Sequence, residues 1–177
     1  MSYSLFYTLL STRLIAPPII FYYVHPFYAM ILDEVVIDGL IAPHHLFKPF
    51  VPTEMDTYRK PHYDLPLDAW GFLNGLQPIM CKKHKYSYVF KGYESFIISL
   101  FVLRMIGIVL LYVLKDMRIL ALFPNFFIGA YLAISGCSLY KITNKKTVTS
   151  VIVVSMLLAY IRELCLINVN LRLKTLF

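Results

Sequence analysis

The stretch SFIISLFVLRMIGIVLLYVL, Ser95–Leu114, holds a single charged residue, Arg104. A membrane crossing needs about 20 mostly apolar residues, because an α-helix rises about 1.5 Å per residue and the hydrocarbon layer is ~30 Å thick. Two later stretches read the same way, Ile119–Tyr140 and Thr147–Asn168, set apart by the short polar breaks KDMR and KITNKK. Working toward the N-terminus, Leu14–Val24 extends back through Arg13 to Leu9 and gives another span. His25-Pro26 then predicts a tight turn, since proline removes a donor and the residue before it resists the α region. Phe27–Pro43 follows at once, and Leu65–Met80 (LPLDAWGFLNGLQPIM) supplies the last candidate. The sequence therefore predicts an all-α, multi-pass integral membrane bundle of about six transmembrane helices. Its spans lie near 9–24, 27–43, 65–80, 95–114, 119–140 and 147–168 of a single domain, 1–177.

Composition agrees. The chain is 59% hydrophobic and 15% charged, against about 45–50% and ~25% for soluble domains. The net charge is +7, yet Lys and Arg sit almost wholly in short loops, where they anchor helix ends against phospholipid headgroups. No basic stripe interleaves with exposed aromatics, so nucleic acid is not an expected partner. Cys81, Cys137 and Cys165 are far apart and show no metal or redox spacing, which reads as packing. The N-terminal stretch lacks a basic region before its apolar run and reads as a retained segment.

Leu65–Met80 is the weakest span, being short and containing Asp68, Asn74 and Gln77. If it crosses, Arg13, Lys48, Arg59, Lys60, Lys115, Arg118, Arg172 and Lys174 share one side. Lys82, Lys83, Lys85, Lys91, Lys141, Lys145 and Lys146 share the other, an eight-to-seven division. If it does not, the division is eleven to four, and the positive-inside rule favours five spans.

The chemistry-bearing residues cluster around one loop. FYAMILDEVVIDGLIAP places Asp33, Glu34 and Asp38 among eight Phe, Ile, Leu or Val. Each acid at a helix centre costs ~2.5–3.5 kcal/mol, against about −0.3 to −0.6 for each such apolar residue. The segment must turn its acids toward a polar interior, an interface or a cation. Glu34 and Asp38, four apart, share an α-helical face. Asp64 and Asp68 are also four apart, with Asp64 placed as an N-cap and Pro66 in the first turn. Clustered carboxylates repel one another unless a cation neutralises them, and all-oxygen ligation suits Mg²⁺ or Mn²⁺. The alternative is that Asp64 only caps and Asp38 lies in the headgroup zone.

Asp38-Gly39-x-x-Ala42 followed by Asp64-x-x-x-Asp68 resembles the signature of the CDP-alcohol phosphatidyltransferase family, D-x2-D-G-x2-A-R, a spacer, then G-x3-D-x3-D. Ser11-Thr12-Arg13-Leu14-Ile15-Ala16-Pro17 is similar to the Ser/Thr-rich, Arg-containing opening of that family's first span. The family's order of elements is the reason for counting Leu65–Met80 as a span. The chain departs from the pattern at Val35, where an Asp is expected, at Pro43 in place of Arg, at Lys60 in place of Gly, and in a longer spacer.

The resemblance implies a metal-dependent membrane transferase of phospholipid synthesis that moves a phosphoalcohol from a CDP-alcohol to an acceptor alcohol. Carried over residue by residue, it gives Asp38 and Asp64 as metal ligands, and Asp68 as a ligand or as the base that deprotonates the attacking alcohol. Glu34 stands in for the missing ligand. Gly39 and Ala42 allow close backbone approach, and His44, His45, Lys48, Arg59 or Lys60 replaces the lost Arg. The cofactor implied is Mg²⁺ or Mn²⁺. The partners implied are membrane lipids, a CDP-alcohol, an acceptor alcohol and a second copy of the chain. The alternative is a transporter, ion-binding subunit or scaffold on the same fold with nucleotide binding lost.

Elsewhere, Arg104 and Arg162-Glu163 lie inside apolar spans, which marks functional or bundle-facing positions. Arg104 is a candidate for binding a lipid or substrate phosphate, and Arg162 and Glu163 for snorkelling to the surface. Gly129, Ala133, Gly136 and Cys137 form a small-residue face suited to helix packing. Phe123-Pro124-Asn125 is the expected break at the fifth span. The five histidines lack the spacing of membrane di-iron sites.

Overall fold

The computed structural model describes residues 3–37, 64–114, 116 and 118–174. Every element among them is helical, with no strand among the described residues, as an all-α reading requires. The chain divides into two compact units, Met1–Tyr88 and Val89–Phe177.

In the first unit, α1 (Tyr3–Tyr23) runs straight through Pro17 and Pro18. A proline inside a helix removes the bond to the carbonyl four residues back. For Pro18 that carbonyl belongs to Leu14, and the Trp70 indole Nε1 donates to it at 2.9 Å. A neighbouring helix thus supplies the donor that proline withholds, which is how prolines are tolerated inside apolar bundles. α2 (Pro26–Ile31) follows the turn at His25, whose Nδ1 accepts from the Phe27 N–H, with Pro26 in the first turn. It passes into a π-helical segment, Leu32–Ile37.

The expected 65–80 helix is two pieces, α3 (Asp64–Gly75) and α4 (Gln77–Met80). Pro78 cannot donate to the Asn74 carbonyl, so the α pattern breaks at Leu76. The pair runs parallel to α1, as ordered contacts show. Arg13 meets Asp68, the Leu14 carbonyl meets Trp70, the Pro18 carbonyl meets Gln77 Nε2 at 3.4 Å, and the Tyr23 carbonyl meets Lys85 Nζ at 2.5 Å. Lys82–Lys85 therefore lies at the C-terminal end of α1.

In the second unit, α5 (Glu94–Leu114) and α8 (Lys145–Lys174) pack against α7 (Phe126–Leu139), most of whose side chains are buried, and the short α6 (Ile119–Leu122) lies against α5 and α8. α7 is antiparallel to both long neighbours. Phe127 contacts Phe101 of α5 and Phe126 contacts Tyr160 of α8. Gly129 lets α7 and α8 approach closely, since a β-carbon there would stand 2.6 Å from the Ser155 carbonyl oxygen. The small-residue face thus serves helix packing. The expected 119–140 span is broken at Phe123-Pro124-Asn125. Asn125 caps α7 by accepting from the Ile128 N–H, and α7, 14 residues long, is about 21 Å from end to end. Lys141, in the left-handed region at φ 55°, closes its C-terminus.

Among the described residues, two helical stretches are long and apolar enough to cross a membrane, Glu94–Leu114 and Lys145–Cys165, and only 28% and 17% of their most apolar windows are buried. Core helices of a soluble protein would be mostly covered. Val102, Ile106, Val109 and Val113 on α5, and Val154, Leu157, Leu158 and Ile161 on α8, are exposed at helical spacing. Apolar stripes of this kind mark contact with lipid or another protein.

The proline repair is open to measurement. Trp70→Phe is expected to lower stability by about 1 kcal/mol, read as a thermal midpoint by circular dichroism in detergent. In a Pro18→Ala background, where the Leu14 carbonyl regains a helical donor, the same change should cost less than half as much. Equal costs in the two backgrounds would refute the repair.

His84 is buried beneath Tyr22, with Nδ1 accepting from the Tyr86 N–H. Its pKa falls below 6.5, chiefly through burial, with the Phe21 carbonyl opposing and Lys85 adding to the fall. His25 is lowered by burial as well. The unfolded chain therefore takes up protons first as pH drops below 6.5, so the stability these neutral rings contribute is present above that value and is lost below it. The thermal midpoint should decline on acidification, and His84→Asn should flatten that decline.

Candidate functional site

The described part of the acidic motif lies where α1, the π-helical segment and α3 meet. Arg13 projects from the middle of α1 and is 3% exposed. Its Nη2 donates to Oδ1 of Asp68, which sits one turn into α3. Asp33, in the first turn of the π-helical segment, is also buried. Its carboxylate lies against Gly71, where a methyl group would overlap Oδ2. Asp68 and Gly71 are three apart and share a face of α3, so the segment delivers Asp33 to the surface of α3 that carries Asp68. Glycine at 71 is what permits this approach.

The acids come together differently from the sequence pattern. Pairing Glu34 with Asp38 assumes α-helical spacing, but Leu32–Ile37 is π-helical, with bonds running i→i+5 and a wider turn. Faces counted at 3.6 residues per turn therefore do not carry through the segment. Asp33, which spacing alone left outside the paired acids, is the one seated on α3. Glu34 is half-buried beside it. Asp64 begins α3, and its side chain is outside the described residues. Asp38, Gly39, Ala42, His44, His45, Lys48, Arg59 and Lys60 all lie outside the described residues.

Among the described residues no group of three or more His, Cys, Asp or Glu side chains is arranged to hold a metal ion. The donors present at the junction are the carboxylates of Asp33, Glu34 and Asp68, an all-oxygen set of the kind Mg²⁺ and Mn²⁺ prefer. Arg13 already supplies a positive charge to one of them. Arg13 is buried and the Asp68 side chain is 24% exposed, so the guanidinium finds its counter-charge at the edge of the enclosed junction.

Arg104, the other basic candidate, belongs to the second unit. It is 4% exposed, and its Nη1 donates to Glu163 at 2.9 Å and to the Phe123 carbonyl at 3.1 Å. Its Nε is buried without a hydrogen-bond partner. Glu163 turns inward to this pair, while Arg162 is exposed. Phe123 opens the break before α7, so Arg104 satisfies a carbonyl that a continuous helix would have satisfied itself.

Spacing missed three participants in the first unit. Arg13 is foreshadowed by being the one charge inside the first apolar run. Gly71 is foreshadowed by its place three residues after Asp68. Trp70 has no signal except Pro18, which announces a carbonyl needing a donor. Comparison with protein-family models, with curated proteins and with solved structures gives no match.

A double-mutant cycle tests the clamp. Arg13→Gln removes the charge that faces Asp68 and is expected to lower stability by about 2 kcal/mol, the scale of a charged hydrogen bond. Arg13→Gln combined with Asp68→Asn should recover a good part of that loss, whereas additive costs would show that the two side chains do not act as a pair.

Proposed function

We propose that the chain is a multi-pass membrane protein of about six crossings that works as a metal-dependent phosphoalcohol transferase, resembling enzymes that use CDP-alcohols. The reading rests on one observation above all, the seating of the Asp33 carboxylate over Gly71, one turn from Asp68. That seating brings an acid of the π-helical segment onto the face of α3 that carries Asp68, which supports a shared carboxylate site completed by residues outside the described ones. The parallel course of α1 and α3–α4 supports a crossing element at 64–80 despite its break, because it carries the lysines of 82–85 to the far end of α1. Exposed apolar stripes on α5 and α8 support lipid contact.

In this reading Asp38, Asp64 and Asp68, aided by Glu34 and Asp33, hold Mg²⁺ or Mn²⁺. A bound cation of this type would polarise the pyrophosphate being cleaved. Asp68 takes the proton of the attacking alcohol, and Arg13 fixes the orientation of its carboxylate. Gly39 and Ala42 admit the nucleotide, with Arg59 or Lys60 on its phosphates. The bond formed joins the acceptor oxygen to phosphorus, and the bond broken releases CMP.

A second reading is favoured by the Arg13–Asp68 pair itself. A carboxylate neutralised by its own chain is suited to holding helices together, as in a non-enzymatic transporter subunit or scaffold on the same fold. The two separate by assay. Purified protein in lipid, given CDP-alcohols with and without Mg²⁺ or Mn²⁺, is expected to release CMP only with metal, and Asp68→Asn is expected to abolish release. Metal-independent release, or full activity in Asp68→Asn, would sink the transferase mechanism. Absence of release by folded protein over a panel of CDP-alcohols would favour the scaffold.

A further inference from the structure

Among the described residues of the first unit, charge is sorted by end. Asp33, Glu34 and Asp68 gather at the junction, while residues 14–31 and 69–88 contain no Asp or Glu. At the other end, Cys81-Lys82-Lys83-His84-Lys85 puts three lysines into four consecutive positions, all of them exposed. The loop is fixed rather than trailing. Lys85 Nζ donates to the Tyr23 carbonyl, an orphan acceptor at the C-terminus of α1 where cations are favoured. Its ammonium lies 4.7 Å from the Tyr86 ring centre and 5.8 Å from that of Tyr23. His84 plugs the loop from beneath, edge-on to Tyr22 at 5.5 Å, and His25 packs on Tyr86 at 5.3 Å. Around the lysines stand the exposed side chains of Tyr22, Tyr23, Tyr28, Tyr88 and Met80.

We propose that the loop Lys82–Lys85, with the tyrosines at the ends of α1 and α2, is a binding collar for anionic phospholipid headgroups. Among the described residues of the unit no carboxylate stands at that end, which leaves the exposed lysines open to an anion from outside. Tyrosines on every side set the level, since amphipathic rings concentrate at the boundary between headgroups and hydrocarbon. Exposed Met80, directly before the lysines, gives the collar an apolar lower edge. A soluble anion would use the lysines and leave the aromatic and apolar surround wet; a phospholipid uses both. Lys82 and Lys83 are the lipid-facing charges, and Lys85 positions the loop on α1. The inference rests on the membrane reading but not on transferase activity.

The test uses the full chain in vesicles of neutral phosphatidylcholine mixed with equal phosphatidylglycerol. Flotation with neutral vesicles comes first, and a protein that fails to float overturns both the membrane reading and the collar. After mild detergent extraction, native mass spectrometry should find phosphatidylglycerol retained over phosphatidylcholine. A basic side chain at an anionic surface contributes about fivefold in affinity, so Lys82→Gln with Lys83→Gln should weaken retention by roughly 30-fold at most. Lys145→Gln with Lys146→Gln, at the exposed start of α8, should leave it nearly unchanged. Absence of preference in a protein that floats, equal losses in the two double variants, or displacement of the lipid by inorganic phosphate or a soluble acidic peptide would each overturn the collar, whatever the outcome of the CMP assay.

Discussion

Arg13 and Asp68 meet between α1 and α3, two helices that are otherwise largely apolar where they face each other. A guanidinium placed in an apolar setting must find a counter-charge, and a carboxylate must find a cation or several donors. Each fixes the other, and the consequences spread outward. With Arg13 on Asp68, α3 is held in register along α1, Trp70 reaches the carbonyl that Pro18 leaves open, and Gln77 reaches the Pro18 carbonyl. The same register leaves Gly71 facing the π-helical segment, where Asp33 is received. The second unit repeats the logic independently, with Arg104 joining Glu163 and the carbonyl at the break before α7.

The helical, membrane-compatible character of the chain was legible from the blocks of apolar residues alone. Span boundaries were less so. Hydropathy runs 119–140 together as one span, and only the local chemistry of Phe123-Pro124-Asn125 marks the break where one short helix ends and another is capped. The stretch 65–80 is interrupted for a similar reason, because Pro78 removes a bond that composition does not register. Where a turn depends on one side chain, as at His25-Pro26, local chemistry predicted it correctly.

The candidate site was legible in part. Asp68 could be singled out because an acid in an apolar helix demands an explanation. Its partner could not, since Arg13 is 55 residues away and spacing rules reach only a turn or two. Asp33 was left outside the paired acids because α-helical spacing was assumed, whereas the wider π-helical turn of Leu32–Ile37 follows a different repeat. Most of the loop that carries the remaining motif residues lies outside the described residues.

Trp70 is the only tryptophan in the chain, and its indole N–H is bound to the backbone of α1 within two residues of the Arg13–Asp68 pair. The protein therefore has an optical reporter at the junction where its acids gather. An indole that loses a hydrogen bond to a carbonyl in apolar surroundings shifts its emission, and the 14 tyrosines act as donors of excitation energy to that one ring. Any event that slides α3 along α1, or alters the charge beside it, has a spectroscopic signature without a label being attached.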